Sequence, residues 1–328
     1  MGVALDPPTK PSLFVAASIG SDIIDNRFDI RNSDQLRRLV SEVQPDCVFH
    51  LAAQALVKKS YLDPADTWST NVMGTLNVLD AVRTLRKKCS VVLITSDKCY
   101  ENLEWVWGYR ESDRLGGIDP YSASKAAAEL AIRSYVRSFL GKDSYVRVAS
   151  ARAGNVIGGG DWSPDRIVPD CIRAWRQNSP VELRYPEATR PWQHALEPIS
   201  GYLCLAVALE SNPTLHGEAF NFGPPAGHDH SVLQLVTELS YQCESLEWHD
   251  VSKSSLDLHE STLLRLNCDK VLHFLDWQAS MDFEQTIKMT AAWYRTYYEE
   301  SDSIPLFTRS QIEEYSHIAC AKGISWAT

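Results

Sequence analysis

The sequence predicts an α/β fold built on a doubly wound parallel sheet, and three observations carry that expectation. Strand-like runs lie at Asp46-Cys-Val-Phe-His-Leu-Ala-Ala53, at Val91-Val-Leu-Ile94 and from Val146. Segments with helical periodicity separate them, which is the alternation of βαβ units. The 328 residues are enough to bury a substantial core, in one large domain or two.

From Ser33 to Val43 the pattern places Leu36, Leu39, Val40 and Val43 on one side of a helix. The run from Asp46 then reads as a buried strand entering a loop at Ala53. A long helical segment from about Pro64 to Arg86 leads to the Val91 strand. Asp119-Pro120 is a helix start, because aspartate can cap and proline suits the first helical position. Behind it Ala126, Leu130, Ile132, Val136 and Phe139 supply an apolar face, and the helix leads to the strand at Val146.

After Asn155 the texture changes to Gly158-Gly-Gly160-Asp-Trp162, several prolines and mixed short elements. Residues 1–155 are therefore expected to form a cofactor-binding domain and 156–328 mainly a smaller C-terminal substrate-binding domain. Ala219-Phe-Asn-Phe-Gly223 is expected to return one strand to the main sheet. The tail after about Ser301 is polar and reads as an addition outside the core.

A formal net charge of -10 argues against a general nucleic-acid binder, so any anion site must be local. No apolar run approaches the length of a membrane span, and the N-terminus lacks a signal peptide's basic and apolar regions. A soluble cytoplasmic protein is expected. The eight cysteines are scattered without a CxxC pair or zinc-site spacing, and read as reduced thiols rather than ligands or nucleophiles.

Tyr121-Ser-Ala-Ser-Lys125 is the segment with chemistry in it. A tyrosine and a lysine four apart share one helix face, where the ammonium can stabilise a phenolate and lower the tyrosine pKa. Such a tyrosine can take a proton from a substrate hydroxyl while a hydride leaves the same carbon. The spacing recurs on many solvated helices, so its weight comes from context. Ser96, Asp97 and Lys98 follow the Val91 strand, at the carboxyl end where ligands bind in open α/β sheets. A hydroxyl, a carboxyl group and an amine are more than a plain dehydrogenase needs, and they point to a second chemical step.

With Tyr121/Lys125, Asp29-Ile30, Leu51-Ala52-Ala53, Asn71-Val-Met-Gly-Thr75 and Arg152-Ala-Gly-Asn155 in order, the chain resembles the extended short-chain dehydrogenase/reductase superfamily. Within it, Thr95-Ser-Asp-Lys-Cys-Tyr100, Trp105-Val-Trp-Gly-Tyr-Arg110, the run from Arg152 to Trp162 and Arg190-Pro-Trp-Gln-His194 resemble the CDP-glucose 4,6-dehydratase family. The resemblance implies a Rossmann-like fold, NAD as cofactor, CDP-glucose as substrate and a homodimer paired through long helices that include the Tyr121 helix. It implies that Tyr121 takes the proton of the sugar 4-hydroxyl, that Lys125 tunes it and holds the nicotinamide ribose, and that Ser96 bonds the same hydroxyl. Asp97, protonated, would serve the departing 6-hydroxyl.

Lys98 stands where many sugar-nucleotide dehydratases carry a glutamate base. It is expected to remove the C5 proton or position a water, against the alternative of a surface lysine. Asp6 is expected at the adenosine ribose, or else as a turn aspartate before Pro7-Pro8. Asp29 and Ile30 would flank the adenine, and Leu51, Ala52 and Ala53 would line the cofactor cleft or form an ordinary strand–loop junction. Asn71 is expected to hold backbone near the site. Arg190 and Asn155 are expected on the substrate diphosphate, since guanidinium matches phosphate oxygens. His50 and His194 read as structural, and Trp105 and Trp107 as pocket or packing residues.

One departure concerns the start. A dinucleotide-binding fold opens with a strand, a Gly-rich turn and a helix whose N-terminus holds the pyrophosphate. Here Met1 to Asp6 resembles the end of the family's second strand, and Gly158–Gly160 resembles a substrate loop. The expectation is a sheet lacking its first βα unit, through an incomplete gene model or a true truncation. Two alternatives to the dehydratase follow: a 4-epimerase on the same fold, or an inactive remnant acting as a binding or dimerisation module.

Overall fold

Val91, Val92 and Leu93 are fully buried, although their side chains point alternately to opposite faces of a strand. That requires a strand covered on both sides, and the computed structural model, which describes residues 1–141, 144–252 and 263–327, supplies both covers. Strand β3 (Cys47–His50), β4 (Cys89–Ile94), β5 (Val146–Ala153) and β6 (Ala219–Phe222) form a parallel sheet in the order β6-β5-β4-β3. Val91 stands opposite Val48 on one side and Val148 on the other.

One face is covered by helices α1 (Ser33–Val43), α2 (Gly74–Val82) and α3 (Pro120–Phe139). Leu36, Leu79, Val82, Ile132 and Val136 meet Val91, Leu93 and Val148 there. The opposite face receives Val92, Ala149 and Ala151, which pack on Leu205 and Leu209 of α5 (Leu196–Ser211) and on Phe220 and Phe222. The expected strand at 219–223 is therefore β6, on the edge beyond β5.

Short strand pairs lie outside this sheet, and one of them is N-terminal. β1 (Gly2–Ala4) pairs in parallel with β2 (Asp25–Arg27) and with no other described strand. No described strand joins this pair to β3. The run at Asp46–Ala53, expected to be buried, is thus an edge strand, with Phe49 36% and Leu51 56% exposed.

The helix expected over 64–86 is also divided. A helix at Pro64–Trp68, a π-type turn at Ser69–Met73 and α2 follow one another. Asn71 sits in that π turn, and its side chain bonds the backbone of Gln54 instead of facing solvent. Such turns are frequent at functional sites.

A further core lies past β5. Trp162, together with Val168 and Ile172 on α4 (Ile167–Gln177), meets Leu235 and Leu239 of α6 (Val232–Gln242), and Trp293 and Tyr294 of α7 (Phe283–Glu299). No disulfide joins the eight cysteines. Among the described residues no helix is long and apolar enough to cross a membrane.

The segment after Ser301 corrects its expectation. It forms α8 (Ile304–Ala321), whose polar residues Arg309, Glu313 and Glu314 face outward while Ile304, Tyr315 and Ala319 are buried. The Tyr315 hydroxyl donates to Glu197 Oε2 at 2.9 Å and meets Ser200 Oγ at 2.9 Å. Glu197 also accepts the backbone amides of Ser280 and Met281 at 2.9 and 2.6 Å. The polar composition concealed an amphipathic helix. Tyr315→Phe is expected to cost about 1–3 kcal/mol through the lost buried bond, read as a lowered thermal midpoint; an unchanged midpoint would mean that α8 is only loosely attached.

Candidate active site

The carboxyl ends of β4 and β5 converge on one carboxylate. Past Ile94 the chain turns at Ser96, which is extended and caps the short turn Asp97–Cys99 by accepting from the Lys98 amide at 3.2 Å. The same hydroxyl donates to Asp97 Oδ1 at 3.0 Å. From the end of β5, Asn155 Nδ2 donates to Asp97 Oδ2 at 3.3 Å. Gly154 lies so close that a Cβ there would sit 1.8 Å from Asp97 Oδ2, so only glycine fits. Burial raises the Asp97 carboxyl above its ordinary range, against the pull of Lys98, the Ser96 hydroxyl and Arg190. An acid so placed keeps its proton to higher pH than an exposed aspartate.

Helix α3 brings the other partners. Asp119 caps it by accepting from the Ser122 amide at 3.0 Å, and Pro120 occupies its first turn. Tyr121, Lys125 and Glu129 follow at four-residue steps on one face and are all buried. The helix packs on the turn that carries Asp97.

The expected effect of lysine on tyrosine is not what this geometry gives. Burial pushes the Tyr121 phenol up to about 12, with the Ser96 hydroxyl working against it and Asp97 adding to it. Burial likewise brings the Lys125 ammonium down to about 8, opposed by Cys99 and Glu129. The reason is that both charged forms lose water, while the ammonium turns to the backbone: Lys125 Nζ donates to Ile94 O at 3.5 Å. A lysine ammonium has three donors, and this long bond is its one hydrogen bond among the described residues.

Asn71 does hold backbone. Its carbonyl accepts from Gln54 N at 2.8 Å, and its amide donates to Gln54 O at 3.0 Å and to Ser124 Oγ at 2.9 Å. This fixes the loop after β3, with Leu51, Ala52 and Ala53, against α3. His50 is structural: it is buried against Thr75 Oγ1 at 3.0 Å, and burial lowers it to about 3. His194 is buried as well and lowered by burial to about 4.

Arg190 is buried, donates to Thr189 O at 2.8 Å and acts on the Asp97 carboxyl. Lys98 is half-buried in the turn beside Asp97. Ser96, Asp97, Lys98, Tyr121, Lys125, Asn155 and Arg190 are therefore gathered at one end of the sheet.

The distal cofactor candidates are not gathered with them. Asp6 is exposed after β1. Asp29 is bound by Arg31 at 2.6 Å, and that bond lowers its carboxyl pKa. Ile30 is packed on α2, where a Cβ on Gly74 would lie 2.4 Å from Ile30 Cδ1. The glycines at 158–160 serve packing: a Cβ on Gly159 would lie 2.1 Å from Trp293 and one on Gly160 2.6 Å from Leu13. Trp105 stacks on Tyr109 at 5.2 Å, and Trp107 is exposed.

Two residues were missed by the sequence reading. Glu129 forms a buried ion pair with Arg152 at 2.8 Å; its readable signal was an acidic residue one turn beyond Lys125 on a buried face. Arg166 acts on the Tyr121 phenol and pairs with Asp161 at 3.6 Å; no spacing signal marked it.

Known proteins share this arrangement of elements. A solved UDP-glucuronic acid 4-epimerase from Bacillus cereus, in complex with UDP-glucuronic acid and NAD, superposes with a TM-score of 0.75 at 20% identity, covering 90% of this chain and 91% of that one. A dTDP-glucose 4,6-dehydratase from Bacillus anthracis in complex with NAD gives 0.66 at 20% identity, over 85% and 82%. A CDP-glucose 4,6-dehydratase from Salmonella typhimurium is 40% identical over 323 residues, 96% of this chain and 88% of that protein. The family model described as GDP-mannose 4,6 dehydratase matches residues 18–290, and with that span matched the chain belongs to this dehydratase family.

Proposed function

We propose that this chain converts CDP-glucose to CDP-4-keto-6-deoxyglucose as a hydro-lyase with NAD. The observation that carries the reading is Asp97, a buried carboxyl with a raised pKa beside Tyr121. A plain oxidation needs no such acid, whereas expulsion of a hydroxyl does. The 40% identity to a CDP-glucose 4,6-dehydratase supports the same reading, including the choice of cytidine nucleotide.

The residues present fit the nicotinamide end of NAD. The Lys125 ammonium is buried with donors to spare, and the loop Leu51–Ala53 leaves β3 nearby. Lys125 and Tyr121 would hold the nicotinamide ribose, Leu51, Ala52 and Ala53 would line the cleft, and Asp6, Asp29 and Ile30 would meet the adenosine. For the pyrophosphate, no Gly-rich strand–turn–helix occurs among the described residues. When bound, NAD supplies the acceptor for the hydride of sugar C4 and the hydride that ends at C6.

The chain's own groups handle the protons. Tyr121 takes the 4-hydroxyl proton, with Ser96 holding that hydroxyl. The C4 carbonyl acidifies the C5 proton, which Lys98 or a water ordered by it removes. Asp97 gives its proton to the departing 6-hydroxyl, and Asn155 and Arg190 hold the diphosphate side. Leu130 and Phe139 leave apolar surface on α3, which suits a homodimer paired through that helix.

A second reading is supported by one feature. The β1–β2 pair stands apart from β3, which suits an inactive remnant that binds without turning over. Purified chain assayed for bound NAD and for keto-sugar from CDP-glucose separates the two: cofactor and product together support the lyase, and folded protein with neither supports the remnant.

In the active protein, Tyr121→Phe and Asp97→Asn are each expected to lower turnover about 10²–10⁴-fold. Because Asp97 acts protonated, activity falls as pH rises through its raised pKa, and a base-side limb unchanged in Asp97→Asn would refute that role. Gly154→Ala is expected to abolish turnover while the circular dichroism spectrum stays native, since its methyl would displace the Asp97 carboxylate.

A further inference from the structure

Glu129 takes no part in the steps assigned to Ser96, Asp97, Tyr121 and Lys125, yet four donors converge on its carboxylate. Thr95 Oγ1 and Arg152 Nε donate to Oε1 at 2.5 and 3.0 Å. Ser150 Oγ and an Arg152 terminal nitrogen donate to Oε2 at 2.9 and 2.8 Å. Each donor sits just ahead of a working residue. Thr95 precedes Ser96 and Asp97, and Ser150 and Arg152 lead along β5 to Gly154 and Asn155, which touch Asp97. Glu129 itself stands one turn beyond Lys125 on α3.

Arg152 extends the contact. It donates to the Tyr100 hydroxyl at 2.8 Å and to Glu111 O at 3.1 Å, and Tyr100 donates to Asn221 Oδ1 on β6 at 2.7 Å. A buried ion pair is weak evidence for stability, because desolvation offsets most of its attraction. Its position under three converging elements is better explained by what it aligns.

We propose that Glu129 is a positioning residue of the dehydration: its carboxylate locks the strand ends carrying Ser96, Asp97 and Asn155 onto the Tyr121–Lys125 helix. Its carboxylate also stands one turn from Lys125 on the same helix, where a negative charge favours the ammonium. The inference rests on the dehydratase reading for its kinetic part only.

Lys125 is faced by several titratable groups. β3 presents His50, the turn after β4 presents Cys99, and α3 presents Glu129, which is paired with Arg152 of β5. Among the groups acting on Lys125, burial lowers it while Cys99 and Glu129 raise it. Neutralising Glu129 therefore moves the Lys125 midpoint down.

The test is a 13C-lysine NMR titration of the full chain and its Glu129→Gln variant, with the Lys125 resonance assigned by its loss in Lys125→Arg. The Lys125 midpoint is expected to fall by about one pH unit or more in Glu129→Gln. Glu129→Asp keeps the charge but withdraws it, and is expected to fall by less. In the same proteins, kcat for CDP-glucose is expected to drop about 10²-fold with little change in KM, as for a misplaced catalytic group, and Glu129→Asp is expected to recover part of it. A folded Glu129→Gln with an unchanged Lys125 midpoint, or with unchanged kcat in an active protein, would overturn the proposal. If Glu129→Gln does not fold, an unchanged kcat in a folded, active Glu129→Asp, whose shorter side chain cannot reach all four donors, would overturn it equally. A shifted midpoint in a wild type that makes no keto-sugar would sink the dehydratase reading and leave the electrostatic role of Glu129 standing.

Discussion

A parallel sheet covered on both faces must end its central strands in polar groups that water cannot reach freely, and the chemistry of this chain hangs on how those ends are satisfied. β4 runs into Thr95, Ser96 and Asp97, and β5 carries Arg152 near its end and runs into Gly154 and Asn155. The Glu129–Arg152 pair closes the layer beneath, where both side chains are 4% exposed. Above it, Asp97 and Tyr121 are left with protons that burial makes hard to lose. The hydrophobic effect that buries Val91 to Leu93 thus sets the acid–base character of the residues that follow them.

The parts of the fold fixed by local pattern were legible. The apolar run at Val91–Ile94 and the stretch from Val146 identified parallel strands, and Asp119-Pro120 identified the start of α3. What depended on neighbours was not legible. The run at Cys47–His50 has the same apolar texture, yet Phe49 is exposed because no described strand lies beyond β3. Asn71 interrupts an otherwise continuous helix for the sake of a loop 17 residues away. The tail after Ser301 reads as polar because only one stripe of α8 is needed to bury Ile304, Tyr315 and Ala319.

The candidate site divides the same way. Tyr121, Lys125, Ser96 and Asp97 announced themselves by spacing and by position after a strand. The protonation behaviour did not, because it follows from burial: the lysine expected to lower the tyrosine pKa instead points to Ile94 O. Glu129 was visible as an acid on a buried helix face, but its partners Thr95 and Ser150 lie 34 and 21 residues away, beyond the reach of helical spacing. Asp29, expected at the adenine, also pairs with Arg31 two residues on, a local contact that spacing did not announce.

The central claim is that one hydride leaves C4 of the sugar and arrives at C6 of the same molecule while Asp97 expels the hydroxyl between those events. The most direct measurement is conversion of CDP-glucose deuterated at C4 by the purified chain, with the label located in the product by NMR. The account predicts deuterium in the C6 methyl group of a 4-keto product. Deuterium that stays at C4, whether in unchanged substrate or in a C4 epimer, would contradict it.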